Sequence, residues 1–271
     1  MLNAALLSSG LSIFTAADVA VAFAVGAVMF FEFIIPYDRA WQPQWADVKN
    51  DLAFMIAVQL VLPLLVGLFL TLTLLEHFEP MAQVWPSTLP LALQLVLMLL
   101  LAELLRYPLH FAAHNTKTLW RLHAVHHSPK KLYWLNVGRF HPLEKTLQYA
   151  LDTLPFILVG VGAEVVSLYF IFYAVNGFYQ HSNVDVRYGP LNYLVSGPEL
   201  HRWHHSKLVH ESNRNYGNNL IVWDLLFGTW FFPKHARVGD LGLMNRSYPS
   251  HFLGQMVAPL TPGLDKKPPD N

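Results

Sequence analysis

The 271-residue chain is 54% hydrophobic and 13% charged, and its 18 basic residues balance its 18 acidic residues. Soluble proteins carry about 25% charged residues, so this composition excludes an ordinary soluble domain and predicts a membrane protein. The chain contains no cysteine, which excludes disulfide bonds and thiolate metal sites.

Three apolar runs in the first part of the chain are long enough to cross a bilayer. Residues 19–36 contain one acidic side chain, Glu32, whereas residues 52–75 and 80–102 are uncharged throughout. A helix needs about 20 predominantly apolar residues to span a hydrocarbon core of about 30 Å. We therefore expect three membrane-spanning helices before residue 103.

A fourth apolar region, residues 146–180, is interrupted by Asp152 and by a Gly160-Val161-Gly162 turn. This pattern predicts two shorter helices in a hairpin that either crosses the membrane fully or re-enters from one side. The expected fold class is an all-α membrane protein with about four transmembrane helices.

These boundaries divide the chain into three predicted regions. Residues 1–102 are expected to form a transmembrane anchor. Residues 103–235 are expected to form a catalytic region that includes the hairpin. Residues 236–271 form a C-terminal segment, whose end from Pro259 onward has a composition typical of disorder.

The basic residues are distributed on one side of this arrangement. If the first span runs from outside to inside, residues 37–51, 103–145 and 181–271 are internal and contain all 18 lysines and arginines. The positive-inside rule then predicts that the histidine-rich regions and the C-terminus face the cytoplasm. Basic residues next to a span favour contact with anionic lipid, so we expect the bilayer as a partner and no nucleic acid.

Histidine is concentrated in the middle of the chain, where ten of the 14 histidines lie within residues 110–205. Eight of them form three boxes: His110 and His114; His123, His126 and His127; His201, His204 and His205. Residues at positions i, i+3 and i+4 share one helix face, so each box is expected to turn its imidazoles toward a single point. Rows of neutral imidazoles suit zinc, copper, iron or nickel.

The number of histidines bears on the number of metal ions. A structural zinc ion takes four ligands, so eight histidines in one region favour two metal ions. Iron and zinc are the candidates, and we expect two iron ions, with zinc as a substitute.

Six stretches of this sequence together resemble the fatty acid hydroxylase and sterol desaturase superfamily of membrane-bound non-haem di-iron enzymes. The stretches are HFAAH at 110–114, WRLHAVHHS at 120–128, RFHPLE at 139–144, QHSN at 180–183, PELHRWHHS at 198–206 and NYGNNLIVWDLLFGTWFFP at 215–233. The resemblance extends from about Glu103 to Pro233. Ordered matches of this length are highly specific.

The resemblance implies a fold, a metal centre and a reaction. The fold would be a four-helix membrane anchor under a cytosolic helical cap that carries a histidine-rich dimetal site. The eight box histidines would be metal ligands, and O2 would be a cosubstrate. The reaction would be hydroxylation or desaturation of a C–H bond in a membrane lipid.

Different roles are expected for the histidines outside the boxes. His181 resembles the additional ligand that the superfamily often supplies between its second and third boxes; its alternative role is a hydrogen bond at the interface. His141 matches a recurrent family stretch in which the residue either orients the site or binds metal. His210 is expected in a surface loop or behind the ligands. Structural roles are expected for His77, His235 and His251.

Two features of the sequence bear on the surroundings of the metal and on its electron supply. Around its first box the family often has an acidic residue followed by an aromatic residue and HR. This chain has Glu103 and Pro108-Leu109-His110-Phe111 there, so local contacts are expected to differ. The sequence shows no haem-binding, flavin or nicotinamide motif, so we expect electrons from a separate reductase that acts as an external electron-donor protein.

Metal-bound histidines usually donate their second ring N–H to a nearby acceptor. Acidic residues that could accept it are Glu103, Glu144, Asp185, Glu199 and Asp224, although each could instead cap a helix or form an ion pair.

Two other functions remain as alternatives. A zinc-dependent membrane hydrolase would use fewer histidines and a carboxylate base, but the HExxH motif is absent, since His210 and Glu211 are followed by Ser212, Asn213 and Arg214. A non-enzymatic metal- or haem-binding membrane protein would place its histidines within the spans rather than at or beyond their ends.

Overall fold

The structure, a computed structural model, describes residues 13–73, 84–245 and 247–264. Over these residues the chain is helical and contains isolated β-bridges but no strand. His77 and the last seven residues of the expected disordered tail lie outside the described residues. The predicted all-α fold is confirmed.

Long helices in the first part of the chain correspond to the predicted spans. Helix α1 comprises Ile13–Ile34, and a nearly continuous helix comprises α2 (Trp45–Phe54), a π-helical segment (Met55–Val61) and α3 (Leu62–Thr73). Helix α4 comprises Leu91–Asn115. It therefore runs through residue 102, where the sequence places the boundary between anchor and catalytic region.

Three segments among the described residues are long and apolar enough to cross a membrane: Thr15–Ile34, Trp45–Phe69 and Leu91–Asn115. Large apolar side chains on the outer faces of these helices support that role. Phe33 is 83% exposed and Leu64 is 73% exposed, as is expected of side chains that contact lipid. The chain is therefore a membrane protein, while a count of four spans stays a prediction.

The predicted start of the third span, at residue 80, is wrong. Helix α4 begins after Pro90, which occupies its N-cap with an extended backbone, and the preceding residues 84–89 are not helical. Proline favours such a position because it supplies no backbone N–H and cannot continue a helix from its N-terminal side. The helix then continues beyond residue 102 and carries the first histidine box.

The rest of the described chain consists of shorter helices. They are α5 (Lys117–His127), α6 (Pro142–Leu158), α7 (Ala163–Gln180), α8 (Pro198–His204), α9 (Val209–Ser212), α10 (Val222–Phe227) and α11 (Phe252–Val257). Four 3-10 turns occur at Arg39–Trp41, Trp134–Gly138, Gly189–Tyr193 and Ala258–Leu260. Helices α6 and α7 correspond to the predicted hairpin, and the turn between them contains Gly160 with φ +80°.

Helix α4 packs against α5, α6 and α7, and α1 packs against α7. A buried apolar cluster that includes Met98, Phe156 and Tyr169 joins α4 to the α6–α7 pair. A buried ion pair between Arg106 and Asp152 (2.5 Å) connects α4 to α6. The helix that carries the first histidine box is therefore held against both helices of the hairpin.

Buried acids in the first two helices anchor the segments that lead to the histidines. Glu32 of α1 accepts hydrogen bonds from the backbone N–H groups of Trp134 and Asn183, both at 2.8 Å. Asp51 of α2 accepts from the Tyr133 hydroxyl and from the Arg139 guanidinium. An unpaired carboxylate inside a protein is costly, so these bonds fix the two helices to the segments around residues 133–139 and 183.

Candidate metal centre

Nine histidines form two groups. Within each group, every histidine places one ring nitrogen within 4.8 Å of those of the other members. The five-histidine group contains His110, His114, His123, His127 and His204. The four-histidine group contains His126, His181, His201 and His205. The two groups adjoin, because the ring centroids of His127 and His205 are 4.5 Å apart.

The second box contributes to both groups. His123 and His127, four residues apart on α5, belong to the five-histidine group, whereas His126 belongs to the four-histidine group. Consecutive residues on an α-helix are separated by about 100° around the axis, so His126 and His127 point in different directions.

The third box divides in the complementary way. His201 and His205 belong to the four-histidine group, and His204 belongs to the five-histidine group. The expectation that each box turns its imidazoles toward a single point is therefore wrong for the second and third boxes, because the adjacent histidines in each HxxHH pattern face different groups.

The first box meets the second because the chain reverses between α4 and α5. Helix α4 ends at Asn115, and Thr116 has an extended backbone before α5 begins. The rings of His114 and His123 consequently approach to 4.9 Å between centroids. The break falls in the polar run Asn115-Thr116-Lys117.

In the five-histidine group, four rings direct Nδ1 at an oxygen atom. The pairs are His110 with the Tyr216 carbonyl (2.6 Å), His114 with Asn213 Oδ1 (3.1 Å), His123 with Glu144 Oε1 (2.7 Å) and His204 with the Arg214 carbonyl (2.8 Å). A carbonyl or carboxylate oxygen can only accept, so Nδ1 carries the proton and Nε2 presents a lone pair to the group.

The four-histidine group is oriented in the same way at two of its members. His126 Nδ1 donates to the Arg139 carbonyl (3.2 Å), and His181 Nδ1 donates to Asn136 Oδ1 (3.0 Å). His126 also stacks on Phe140, with ring centroids 4.1 Å apart. The segment from Asn136 to Phe140 therefore fixes two rings of this group.

The arrangement of lone pairs fits bound metal ions. Nε2 of His123 lies 3.1 Å from Nε2 of His110, and Nε2 of His201 lies 3.0 Å from Nε2 of His181. Two lone pairs at this distance repel each other unless a cation or a proton lies between them. In addition, Nε2 of His204 is buried and forms no hydrogen bond. Burial of such a nitrogen is costly unless a partner such as a metal ion binds it.

Burial lowers the pKa of six of the imidazoles that lie outside the spans and so favours their neutral form. It lowers the pKa of His181 and of His204 to about 3, and a neighbouring imidazole adds to the effect in each case. Burial and neighbouring imidazoles also lower the pKa of four further rings: His126, His127, His201 and His205. Neutral imidazole is the form that binds a metal.

Of the five acidic residues considered as orienting groups, Glu144 is the one that contacts a histidine ring in the described structure. Glu103 instead accepts from the backbone N–H groups of Asn218 and Asn219, both at 2.8 Å. Asp224 accepts from the N–H groups of Tyr216 and Gly217, both at 2.7 Å. These two acids fix the segment whose Tyr216 carbonyl orients His110. Two others bond elsewhere: Glu199 to Tyr188 and Asn192, and Asp185 to Arg237.

The remaining histidines among the described residues lie outside both groups. His141 caps the start of α6, where its Nδ1 accepts from the Leu143 N–H (3.3 Å), and its Nε2 lies 3.2 Å from the Met256 carbonyl. His210 is exposed and lies near Glu211. His235 and His251 are also exposed.

The sequence did not identify most of the groups that orient the rings. Asn136, Asn213 and the carbonyls of Arg139, Arg214 and Tyr216 come from segments distant in sequence from the rings that they contact. For Tyr216 the available signal was its place in the polar run NYGNN at residues 215–219.

A cavity of about 360 Å³ connects the membrane helices with both histidine groups. Its walls include Leu60 and Pro63 at the membrane side, and His123 and His201 at the inner side. Leu60 lies in the membrane-spanning segment Trp45–Phe69 and is 57% exposed, so the cavity borders the surface that faces lipid. An apolar molecule from the bilayer could therefore approach both groups.

Comparison with known proteins gives a family match over the half of the chain that contains the site. Residues 95–229 match the family model described as fatty acid hydroxylase. Ornithine lipid hydroxylase OlsE of Rhizobium tropici is 35% identical over 243 residues, which are 88% of this chain and 73% of that protein. No solved structure matches the chain at a significant level.

Animal relatives match over a shorter region. Alkylglycerol monooxygenase of Danio rerio is 30% identical over 132 residues, which are 49% of this chain and 29% of that protein. The Homo sapiens alkylglycerol monooxygenase is 28% identical over 124 residues, 46% of this chain and 27% of the human protein. The chain thus aligns with less than a third of these longer proteins.

Proposed function

The chain belongs to the fatty acid hydroxylase family, and from this premise we propose that it is a membrane-bound non-haem di-iron oxidoreductase that hydroxylates a polar membrane lipid. Lipid oxidation is supported by the relatives, which are an ornithine lipid hydroxylase and alkylglycerol monooxygenases. The observation that carries the proposal is the cavity that leads from lipid-facing Leu60 to both histidine groups.

In this proposal the five-histidine group holds one iron ion and the four-histidine group holds the other. Bound iron supplies the capacity to reduce O2 and to oxidise a C–H bond. The overall reaction consumes one lipid, one O2, two electrons and two protons, and it yields the hydroxylated lipid and water. A separate reductase supplies the electrons.

The chain's own residues keep the ligands in the required form. Glu144 accepts the Nδ1 proton of His123, and Asn136 accepts that of His181, so Nε2 of each ring is held as a lone-pair donor. Eight of the nine imidazoles are buried and His110 is half-buried, so they lose few degrees of freedom when a metal binds. The ligand geometry is therefore largely formed before the metal arrives.

The cavity walls keep the substrate in place and exclude water. Val137, Phe140 and Phe170 line the cavity with apolar surface. Such a wall binds a hydrocarbon segment by the hydrophobic effect and holds its C–H bonds near the histidine groups. Choice between hydroxylation and desaturation then depends on which C–H bonds lie nearest, and the names of the relatives favour hydroxylation.

The proposed orientation places the histidine groups and the C-terminus on the cytoplasmic side. All 18 lysines and arginines lie in segments that this topology makes internal. A cytoplasmic site would be accessible to a soluble or membrane-bound reductase.

The proposal is tested by expressing the chain, purifying it with iron and supplying a total lipid extract with a reductase under ¹⁸O2. We expect about two iron atoms per chain and a lipid that gains one labelled oxygen atom. His126→Ala, which removes one of four ligands, should lower both iron content and product formation. Product that forms equally well without O2 would reject the oxygenase and favour the zinc hydrolase.

A further inference from the structure

The cavity contains a buried positive charge that the proposed chemistry at iron does not use. Lys145, on α6, lines the cavity beside the apolar walls. The residue is only 5% exposed. Lysine near a membrane usually extends its ammonium to water, so a lysine buried in a lipid-accessible cavity requires an explanation.

The contacts of the Lys145 ammonium are neutral. Nζ donates to the Tyr173 hydroxyl at 2.7 Å. It lies 5.2 Å from the Phe140 ring centroid and 4.9 Å from that of Tyr173, within the range of a cation–π contact. In the described part of the chain Lys145 forms no ion pair with a carboxylate.

The two acidic side chains in the cavity wall already have partners. Asp152 accepts from Arg106 at 2.5 Å and from the Tyr169 hydroxyl at 3.0 Å. These contacts form a close ion pair between Asp152 and Arg106, so in the described structure Asp152 acts on the Lys145 ammonium only through space.

The second acid, Glu144, contacts the metal centre through Oε1, while its Oε2 is buried and forms no hydrogen bond. One of its oxygens accepts from His123 (2.7 Å) and from Gln148 (2.9 Å). The Lys145 ammonium has three N–H donors, of which the Tyr173 hydroxyl takes one. Two of its N–H donors therefore remain for a molecule in the cavity, while Glu144 and Asp152 supply negative charge nearby.

The ammonium lies close to the histidine groups. Nζ is 5.2 Å from the Phe140 centroid, and that ring lies 4.1 Å from the His126 centroid, so Nζ is at most 9.3 Å from His126. If Lys145 binds the anionic group of a lipid, the C–H bonds next to that group would lie near the four-histidine group.

From these contacts we propose that Lys145 is the anion-binding residue of the substrate cavity, and that the substrate is an amphipathic lipid with a carboxylate or phosphate. This inference rests on the proposed function only in calling the lipid a substrate, because binding of an anion at Lys145 does not require that the protein oxidises it. The apolar walls bind the hydrocarbon, and Lys145 fixes the charged end near the metal centre. A neutral lipid would leave the buried ammonium without a directly bonded anion.

The test measures binding separately from oxidation. Iron-loaded protein in a neutral detergent is titrated with N-dodecanoylglycine, with its uncharged amide and with dodecyl phosphate, and bound ligand is measured by native mass spectrometry. We expect at least one anionic probe to bind about 10-fold or more tightly than the amide, as charged hydrogen bonds permit. The stronger of the two anions identifies the carboxylate or the phosphate.

Variants assign the preference to Lys145. Lys145→Met should reduce the preference for the anion to about one, and Lys145→Arg should keep most of it. Lys145→Gln replaces the Met variant if the latter does not fold. Lys130→Met removes an exposed charge outside the cavity and should leave the preference unchanged. Equal binding of acid and amide to the wild type, or an unchanged preference in the Met or Gln variant, would overturn the proposal.

Oxidation of a lipid extract by the same preparations separates this inference from the proposed function. A wild-type protein that prefers the anion but oxidises no lipid would contradict the proposed function and support the anion site. Oxidation of lipids without any binding preference for an anion would support the proposed function and refute the role of Lys145.

Discussion

Removal of the Glu144 carboxylate tests how far the protein, rather than the metal, sets the geometry of the centre. Glu144 is 4% exposed and His123 is 1% exposed, so their 2.7 Å hydrogen bond is shielded from water. Glu144→Ala leaves the His123 Nδ1–H buried without its acceptor, which costs about 1–3 kcal/mol. Loss of such an orienting contact typically lowers metal affinity by about 10–100-fold. We expect a loss in that range.

Glu144→Gln gives an intermediate case. The Gln amide oxygen can still accept from His123, but a bond to a charged acceptor is about twice as strong as a neutral one. We therefore expect metal affinity to fall by about 3–10-fold. Iron affinity is measured by competition with a coloured chelator, and iron content by mass spectrometry of the purified protein.

Glu199 supplies the matched control. It is also buried, at 8% exposed, and accepts hydrogen bonds from the Tyr188 N–H and from Asn192 but contacts no imidazole. Glu199→Gln should lower the melting temperature and leave iron affinity within about twofold. Equal losses of iron affinity in the two Gln variants would show that general destabilisation explains the result. That outcome would refute the role of Glu144 in orienting the His123 ring.

Further predictions concern the ligands, the loop that supports them and pH. His205→Ala reduces the four-histidine group to three ligands, whereas His204→Ala leaves four in its group, so His205→Ala should lose more iron in metal analysis. Gly217→Ala should lower iron content because its Cβ would lie 2.2 Å from the Leu220 carbonyl oxygen, whereas Gly239→Ala meets nothing within 4 Å and should not. The pKa of His204 falls from 6.5 to about 3 on folding, so below pH 6.5 the unfolded chain binds more protons. The melting temperature of metal-free protein should therefore decrease from pH 6.5 toward pH 3 and should not depend on His204 above pH 6.5. A melting temperature that rises on acidification would contradict the lowered pKa of His204.

Local spacing accounts for what the sequence predicted well. The HxxxH spacing of His110 and His114 lies on one helix, and the run from Asn115 to Lys117 marks the break before the next helix. Both features depend on neighbours within one or two helical turns, so periodicity is sufficient to find them. The hairpin between α6 and α7 followed from its glycine turn in the same way.

Features that depend on contacts between distant segments could not be predicted. Asn136 orients His181 across 45 positions of the sequence, and Asn213 orients His114 across 99. No local pattern specifies which side chains meet over such separations. The division of the HxxHH boxes is different, since the 100° rotation between adjacent residues such as His126 and His127 was available from the sequence and indicates two directions rather than one.

The interleaved boxes make the two histidine groups parts of one folded unit. Helix α5 supplies ligands to both groups, and so does the segment from α8 to His205, so neither group can form unless these two elements are packed together. His181 adds α7, and the first box adds α4. Metal binding to either group would therefore stabilise contacts among four helices, and the free energy of binding would contribute to the folding of the whole helical region around the centre. With bound metal ions, the same coupling would offset the cost of burying a cluster of neutral imidazoles in the metal-free chain.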